Sequence, residues 1–386
     1  MLTDFNITFA DYFNKNQEAL ASKLKNDKIK DDTIHQILDS GYFLWGDTVH
    51  DGYYGPTGQM HYSYFLSILK GATVHKSFLR NIPIYEINSY KDAKEVLELP
   101  IYKRITDDIC FRGQNQHFSS QRPFPHPFFS DKKGHETLLL PGFWRKFLIE
   151  SNYVSIKRPM DKPTSFLENS CISDRLYFHG IDVPELRKRN FERYGLHFDS
   201  NLEDFPDSES QEFASRYNQK LSIGNEQPLI EQHYGLQTVG LDVTFDLKTA
   251  LFFATNKYTQ IDDGKSTYTS IANENKGIIY LLRFKSPKLM KTRDLISSIN
   301  AFKHITPVRP IKQSCALPFF LSHYVNEAAA HIIGILKIGE NFTNSELYNP
   351  TDLFPPKEQD PFYKALLELK KEFPEALKDI ADYDFS

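Results

Sequence analysis

The sequence predicts an α+β protein with a mixed or antiparallel sheet core, flanking helices and a helical insertion. Three observations predict it. GIIYLLRF (277–284) and AAAHIIGILKI (328–338) are nearly continuous apolar runs of strand length, as expected of strands buried on both faces. INSYKDAKEVLEL (87–99) and DLKTALFFATNKY (246–258) carry apolar residues at helical spacing. Residues 152–226 are dense in intermixed charges, the pattern of solvated helices outside a core, with a partner-binding surface as the alternative. The expected organisation is a helical N-terminal region over 1–85 and a central domain over 86–338 with an insertion at 155–226. A helical C-terminal tail follows over 339–386.

In chain order, Phe9, Tyr12 and Phe13, then Leu20 and Leu24, fit a helical stripe. GYFLWGDTVHDGYYGPTGQM (41–60) is rich in Gly and aromatics and reads as a loop-bearing segment. MHYSYFLSILKG (60–71) reads as a helix ended by Gly71. His50, His61 and His75 are scattered, with no metal-binding spacing. Ser89 is a good N-cap, with Ala93, Val96 and Leu97 on one face, and Pro100 stops that helix. ICFRGQNQ (109–116) reads as a short strand ending on Arg112, Gly113 and Gln114. There Arg112 either presents a planar cation to a ligand or pairs with a nearby acid, and Gly113 permits close approach of a ligand or a sharp turn.

SSQRPFPHPFFSDKKGHE (119–136) reads as a mobile loop. In LLLPGFWRKFLIES (138–151), Leu140, Phe143, Phe147 and Leu148 would face a core, and Arg145 is either a surface charge or a second cation over the same pocket. PLIEQHYG (228–235) reads as a helix with Gly235 as its C-cap. Asp242 or Thr244 then caps the next helix, or the same helix N-terminus holds a phosphate. TQIDDGKSTYTSIANENKG (259–277) reads as an exposed loop. The prolines at 307, 310 and 318 favour turns between short strands, and the tail reads as an amphipathic helix or pair broken near Pro374.

Composition bounds the function. Hydrophobic residues at 40% and charged residues at 25% fit a soluble globular chain, and a net charge of −4 gives no footprint for non-specific nucleic-acid binding. The 31 Phe and 21 Tyr fit core packing first and an aromatic-lined pocket second. Three cysteines without C-x-x-C spacing argue against a zinc site or a disulfide framework, so no metal and a reducing cytoplasm are expected. MLTDFNITFADYF lacks the basic and apolar regions of a signal peptide, and no apolar run is long enough to cross a membrane. P-loop, G-x-S-x-G and H-E-x-x-H motifs do not occur.

Four pieces carry a family resemblance: FRGQ (111–114), LLPGFWR (139–145), EQHYGLQT with GLDVT (231–244), and ALFFA (250–254). In this order they resemble the FRG domain family, named for its Phe-Arg-Gly motif, over about 87–338. Two departures stand out: the family's Arg and Trp before the Thr of LD-x-T are absent, and the gap from Arg145 to Gln232 is long. A later region, with Arg309 and Gln313 ahead of Phe319 and Phe320, matches the family's Arg and Gln before aromatic residues.

The resemblance implies a split-sheet core of the ADP-ribosyltransferase-like type and NAD as substrate, cleaved at the nicotinamide–ribose bond. The products would be transfer to a protein or nucleic-acid acceptor, or hydrolysis; the alternative implied is a non-catalytic nucleotide-sensing module. A bacterial or phage toxin or defence setting fits the family. On this basis Arg112, Gly113, Gln114, Arg145, Gln232, Tyr234, Asp242 and Thr244 would bind the nucleotide, with Tyr234 stacking on nicotinamide. His233, Gln313 and Glu327 would be catalytic. Such transferases usually place a glutamate on the late strand, where this chain has Gln313; Glu327 would replace it or be a surface carboxylate, with Asp242 a third choice. His233 would bond a ribose hydroxyl or be a buried, satisfied histidine.

Overall fold

A computed structural model describes residues 15–74, 81–142, 145, 230, 232–235, 241–261, 265–284, 289–291, 307–318, 325–343, 345–374, 377 and 379–385. The stripe at Phe9, Tyr12 and Phe13, the face at Phe143, Phe147 and Leu148, and the insertion at 155–226 lie outside these residues.

The N-terminal region combines helix and sheet: among its described residues, 15–26 are helical, with Leu20 and Leu24 buried. Helix α1 (Asp31–Asp39) opens on Asp31 and Asp32, which suit the positive end of its dipole, and buries Ile34 and Ile37. The Gly- and aromatic-rich stretch then forms an antiparallel sheet of β1 (Tyr42–Trp45), β2 (Thr48–Asp51) and β3 (Gly55–His61). Alternation along β1 explains it: Tyr42 and Leu44 pack into one core with Leu20, Leu24 and Ile37, and Phe43 into another. Helix α2 (Tyr62–Leu69) follows as expected, capped by the His61 imidazole, which accepts from Ser63 N.

The central element is a seven-stranded sheet. In chain order its first members are β4 (Ile84–Ile87), the two-helix connection α3 (Tyr90–Leu97) and α4 (Pro100–Lys103), and β5 (Ile109–Gln114). Ser89 caps α3 as the sequence predicts, accepting from Asp92 N. A short hairpin, β6 (Ser119–Ser120) with β7 (Glu136–Thr137), precedes β8 (Val243–Thr244) and helix α5 (Leu247–Thr255). The hairpin β9 (Asn256–Gln260) and β10 (Lys265–Ser270) is next, where the sequence suggested a loop; Thr and Tyr at alternate positions of β10 favour strand. Then come β11 (Ile278–Arg283), β12 (Leu289–Lys291), α6 (Arg309–Lys312), β13 (Cys315–Pro318) and β14 (Ile332–Ile338).

The sheet order is β12-β13-β8-β5-β11-β14-β4. All neighbours are antiparallel except β14 and β4. The α+β class therefore holds, with β5 in the interior rather than at an edge. Alternation splits the sheet's two faces cleanly. Cys110, Tyr280, Leu282 and Ile335 face the core shared with Phe43, Tyr53 and Leu138–Leu140. Phe111, Ile279, Leu281 and Leu336 face α5, α3 and α4. A Cβ on Gly113 would lie 1.9 Å from the Ala250 carbonyl oxygen, so this glycine lets α5 lie directly on β5.

The last segment is helical at α7 (Pro350–Leu353) and α8 (Pro361–Glu372), and also supplies β15 (Asp382–Tyr383), which pairs in parallel with β10. Phe252, Leu353 and Phe354 join it to α5, with Tyr268 and Tyr383 packed against them.

The 119–136 segment is pinned rather than mobile. The Arg122 side chain has no solvent exposure, and all five of its N–H groups are used. Two go to each carboxylate, Asp51 and Glu136, and one to the Ser40 carbonyl, at 2.7–2.9 Å. Its face lies 4.1 Å from the Tyr53 ring centroid. Burial alone would weaken its hold on the proton, but Asp51 and Glu136 outweigh that and raise its pKa well above the ordinary value. Removing one member of a buried ion cluster costs about 3–5 kcal/mol, because uncompensated charge is left behind. Arg122→Leu is expected to lose stability on that scale in urea unfolding; a loss near zero would show the cluster to be dispensable.

Candidate functional site

The candidate site lies where β5, β8, β13 and the Gln232–Tyr234 turn meet. Gln232–Tyr234 form a 3-10 turn ending at Gly235, and the described residue before it, Ile230, is helical. Gly235 has φ +120°, and a Cβ there would lie 2.2 Å from the Asp379 carbonyl oxygen. The turn is thus locked against the C-terminal segment.

Asp242 is the meeting point. The Arg112 guanidinium donates from Nη1 to the Asp242 carbonyl oxygen at 2.5 Å. Gln232 Nε2 donates to Asp242 Oδ1 at 2.5 Å, and His233 Nε2 lies 3.6 Å from the same oxygen. On its other side, His233 Nδ1 is 3.3 Å from Gln313 Oε1. The Gln313 amide is oriented by its Nε2, which donates to the Leu353 carbonyl at 3.2 Å. Thr244 holds the base of the site: its hydroxyl donates to the Gln313 carbonyl at 2.7 Å and accepts from Asp246 N at 2.9 Å.

Two cavities flank this line. One, of about 420 Å³, is lined by His233, Asp242, Gln313 and an aromatic wall of Phe253, Tyr268, Phe354 and Tyr383. The other, of about 170 Å³, is lined by Arg112, Gly113, Thr249 and Cys315. Asp242, Phe253 and Gln313 line both, so they partition one composite cleft. In the aromatic wall, Tyr268 stacks on Phe354 with centroids 4.7 Å apart and an interplanar angle of 26°.

Charge in the cleft is set by burial. Desolvation, then the neighbouring Arg145, lowers the Arg112 pKa to about 10, which still leaves it cationic at neutral pH. Desolvation, reinforced by the Asp242 carboxylate, pushes the Cys315 thiol well above its usual range. The His233 side chain is 1% exposed and Nε2 has no hydrogen-bond partner among the described residues, whereas the Asp242 side chain is 34% exposed and open to a ligand.

Several sequence expectations need correction. Asp246, not Asp242 or Thr244, caps α5, accepting from Lys248 N and Thr249 N. Capping needs a side chain directly before the first turn, and Asp246 occupies that place; this frees the Asp242 carboxylate for the cleft. Tyr234 does not line either cavity. It is fully buried, its hydroxyl donates to Asp360 Oδ2 at 2.8 Å, and its ring packs on Phe362. Glu327 is 3% exposed, begins a 3-10 turn beside Ala328–Ala330, and lines neither cavity. Gln114 lies at the end of β5 opposite Ile278 and also lines neither. Arg145 is exposed and close enough to affect Arg112.

Cys315, Tyr268, Tyr383, Phe354 and Asp360 were not anticipated. Gln313 two positions earlier was the available pointer to Cys315, since both sit where the chain enters β13. Nothing in local spacing points to the others, which arrive from a hairpin read as a loop and from the tail.

Arg309, 0% exposed, sits behind the site. Its Nη1 donates to the His233 carbonyl at 2.9 Å, and its guanidinium carbon lies 4.5 Å from the Tyr234 and Tyr363 ring centroids. Its backbone N–H and the Tyr234 hydroxyl share Asp360 Oδ2.

No protein-family model, curated protein or solved structure matches the chain. Among the described residues, no helix is long and apolar enough to cross a membrane, and no group of His, Cys, Asp and Glu is arranged to hold a metal.

A structural Tyr234 and a ligand-stacking Tyr234 respond differently to loss of the hydroxyl. Tyr234→Phe is expected to cost about 1–3 kcal/mol, since it leaves part of the buried Asp360 carboxylate unsatisfied. Urea unfolding reads that loss; full stability of Tyr234→Phe would return Tyr234 to the cleft.

Proposed function

We propose that the composite cleft binds NAD and that the chain cleaves its nicotinamide–ribose bond. The observation that carries this is the convergence of a guanidinium, an imidazole and a partly exposed carboxylate on the partition between two cavities. A dinucleotide needs places for flat rings and for a diphosphate. The aromatic wall of Phe253, Tyr268, Phe354 and Tyr383 suits the first. Arg112, with an unpartnered Nε among the described residues, suits the second. The order FRGQ, QHYG, LD-x-T, ALFFA, similar to FRG domains, favours the same ligand.

Bond breaking develops positive charge on the ribose, and a fixed carboxylate stabilises it more in the transition state than in the bound substrate. Asp242 is the carboxylate that both cavities share. It takes the role for which the sequence offered Gln313, Glu327 and, third, Asp242 itself. His233 and Gln313, on the same wall, would orient ribose hydroxyls through their hydrogen-bonding edges. The acceptor is a protein or nucleic-acid group, or water. A second reading, binding without turnover, is favoured by the neutral Gln313 at the place where such transferases carry a glutamate.

Asp242→Asn keeps the shape and removes the charge. Nicotinamide release is expected to fall about 10²–10³-fold, as for loss of one preorganised electrostatic contact, with NAD affinity changed only a few-fold. Calorimetry and nicotinamide release by the unaltered protein separate the readings. Binding without release assigns a sensor, and no binding of NAD or ADP-ribose overturns both.

A further inference from the structure

We infer that Cys315 is a covalent acceptor within the cleft, taking the ADP-ribosyl group from NAD to form a thioglycoside. This rests on the NAD reading and names an acceptor for it.

Three groups stand in line across the partition. Cys315 Sγ lies 3.7 Å from His233 Nδ1, and His233 Nε2 lies 3.6 Å from Asp242 Oδ1. A thiol, an imidazole and a carboxylate in that order form a nucleophile, a base and the group that orients the base. Gln313 completes the arrangement. Its Oε1 accepts weakly from the thiol at 3.7 Å and lies 3.3 Å from His233 Nδ1. Because Gln313 Nε2 is held by the Leu353 carbonyl, Oε1 stays turned toward both. The second, independent pointer to a ligand is His233 itself, nine-tenths buried and lining the larger cavity, with Nε2 making no hydrogen bond among the described residues and approaching only Asp242, at 3.6 Å.

Cys315 lines the smaller cavity with Arg112, on the other side of the partition from Tyr268, Phe354 and Tyr383. A dinucleotide with its diphosphate at Arg112 and a ring at that wall would carry its ribose past Asp242, within reach of Cys315. Cys110 gives an internal contrast: it is buried, its Sγ contacts the Leu282 carbonyl, and it lines neither cavity.

In the reaction, a bond forms between Cys315 Sγ and the ribose anomeric carbon. The bond from that carbon to the nicotinamide nitrogen breaks, and its electron pair leaves with neutral nicotinamide. The thiol proton passes to His233 Nδ1, where Gln313 Oε1 accepts the new N–H, and Asp242 faces the Nε2–H. Without ligand the thiol is protonated and inert, because burial and Asp242 both oppose the thiolate. A developing cation beside the sulfur reverses that balance.

The test incubates the full chain with NAD and follows intact mass, peptide mapping and free nicotinamide together. The expected result is a gain of one ADP-ribose unit on Cys315, with Cys110 unmodified. In Cys315→Ser and Cys315→Ala the adduct should fall to background, while cooperative urea unfolding shows that both variants are folded; an adduct that persists in Cys315→Ala overturns the inference. His233→Gln should slow adduct formation about 10²-fold, the scale of a lost general base. Nicotinamide release with an unmodified Cys315 overturns this inference alone. Absence of both binding and cleavage of NAD overturns the NAD reading, and this inference with it.

Discussion

A guanidinium taken out of water must be answered by acceptors or by aromatic faces, and that constraint organises both ends of the chain. Arg122 is answered fully, with two carboxylates, a carbonyl and the Tyr53 ring closing around it. Through it, β2, the end of α1 and the 119–136 segment become one unit. Arg309 is answered mainly by rings. Tyr234, Tyr363, Tyr383 and Phe354 surround it, and one hydrogen bond reaches the His233 carbonyl. It thereby joins α6, the Gln232–Tyr234 turn and the C-terminal segment. The His233 imidazole inherits its position from this buried cation behind it.

The cleft follows from that joining. Residues distant in sequence meet because β5 and β8 are neighbours in the sheet and β13 pairs with β8. Arg112 reaches the backbone of Asp242, while Gln232 and His233 reach its side chain from the turn. Gln313 arrives at the start of β13 and Thr244 ties it down. The cleft thus has a rigid wall of sheet and an assembled wall from the hairpin and the tail. Gly113 serves the rigid wall by bringing α5 onto β5, so its value is in packing rather than in direct approach to a ligand.

What could be read in the sequence divides along the same line. Strands β11 and β14, helix α3 with its Ser89 cap, and the break near Pro374 follow from local pattern, because burial on one or both faces leaves a period. Strands β1–β3 did not, since glycines and aromatic residues there serve both turns and two opposed cores. The place of α5 was legible and its cap was not: three candidate caps lie within five residues, and backbone geometry selects Asp246. At the site, Arg112, His233 and Asp242 carried visible signals. Tyr234 misled, because a Tyr beside a reactive-looking His shows no sign of which way it points. Glu327 misled because acidity in sequence says nothing of which side of the sheet it occupies. Tyr383 and Phe354 are joined to the cleft only by tertiary packing, which no short window contains.

The most direct test is a crystal structure of the chain with ADP-ribose bound. The account predicts one ligand spanning both cavities, its diphosphate within hydrogen-bonding distance of Arg112, its ribose beside Asp242, and a ring against Tyr268 or Tyr383. Ligand bound elsewhere, or bound in the cleft with neither Arg112 nor Asp242 in contact, would contradict it.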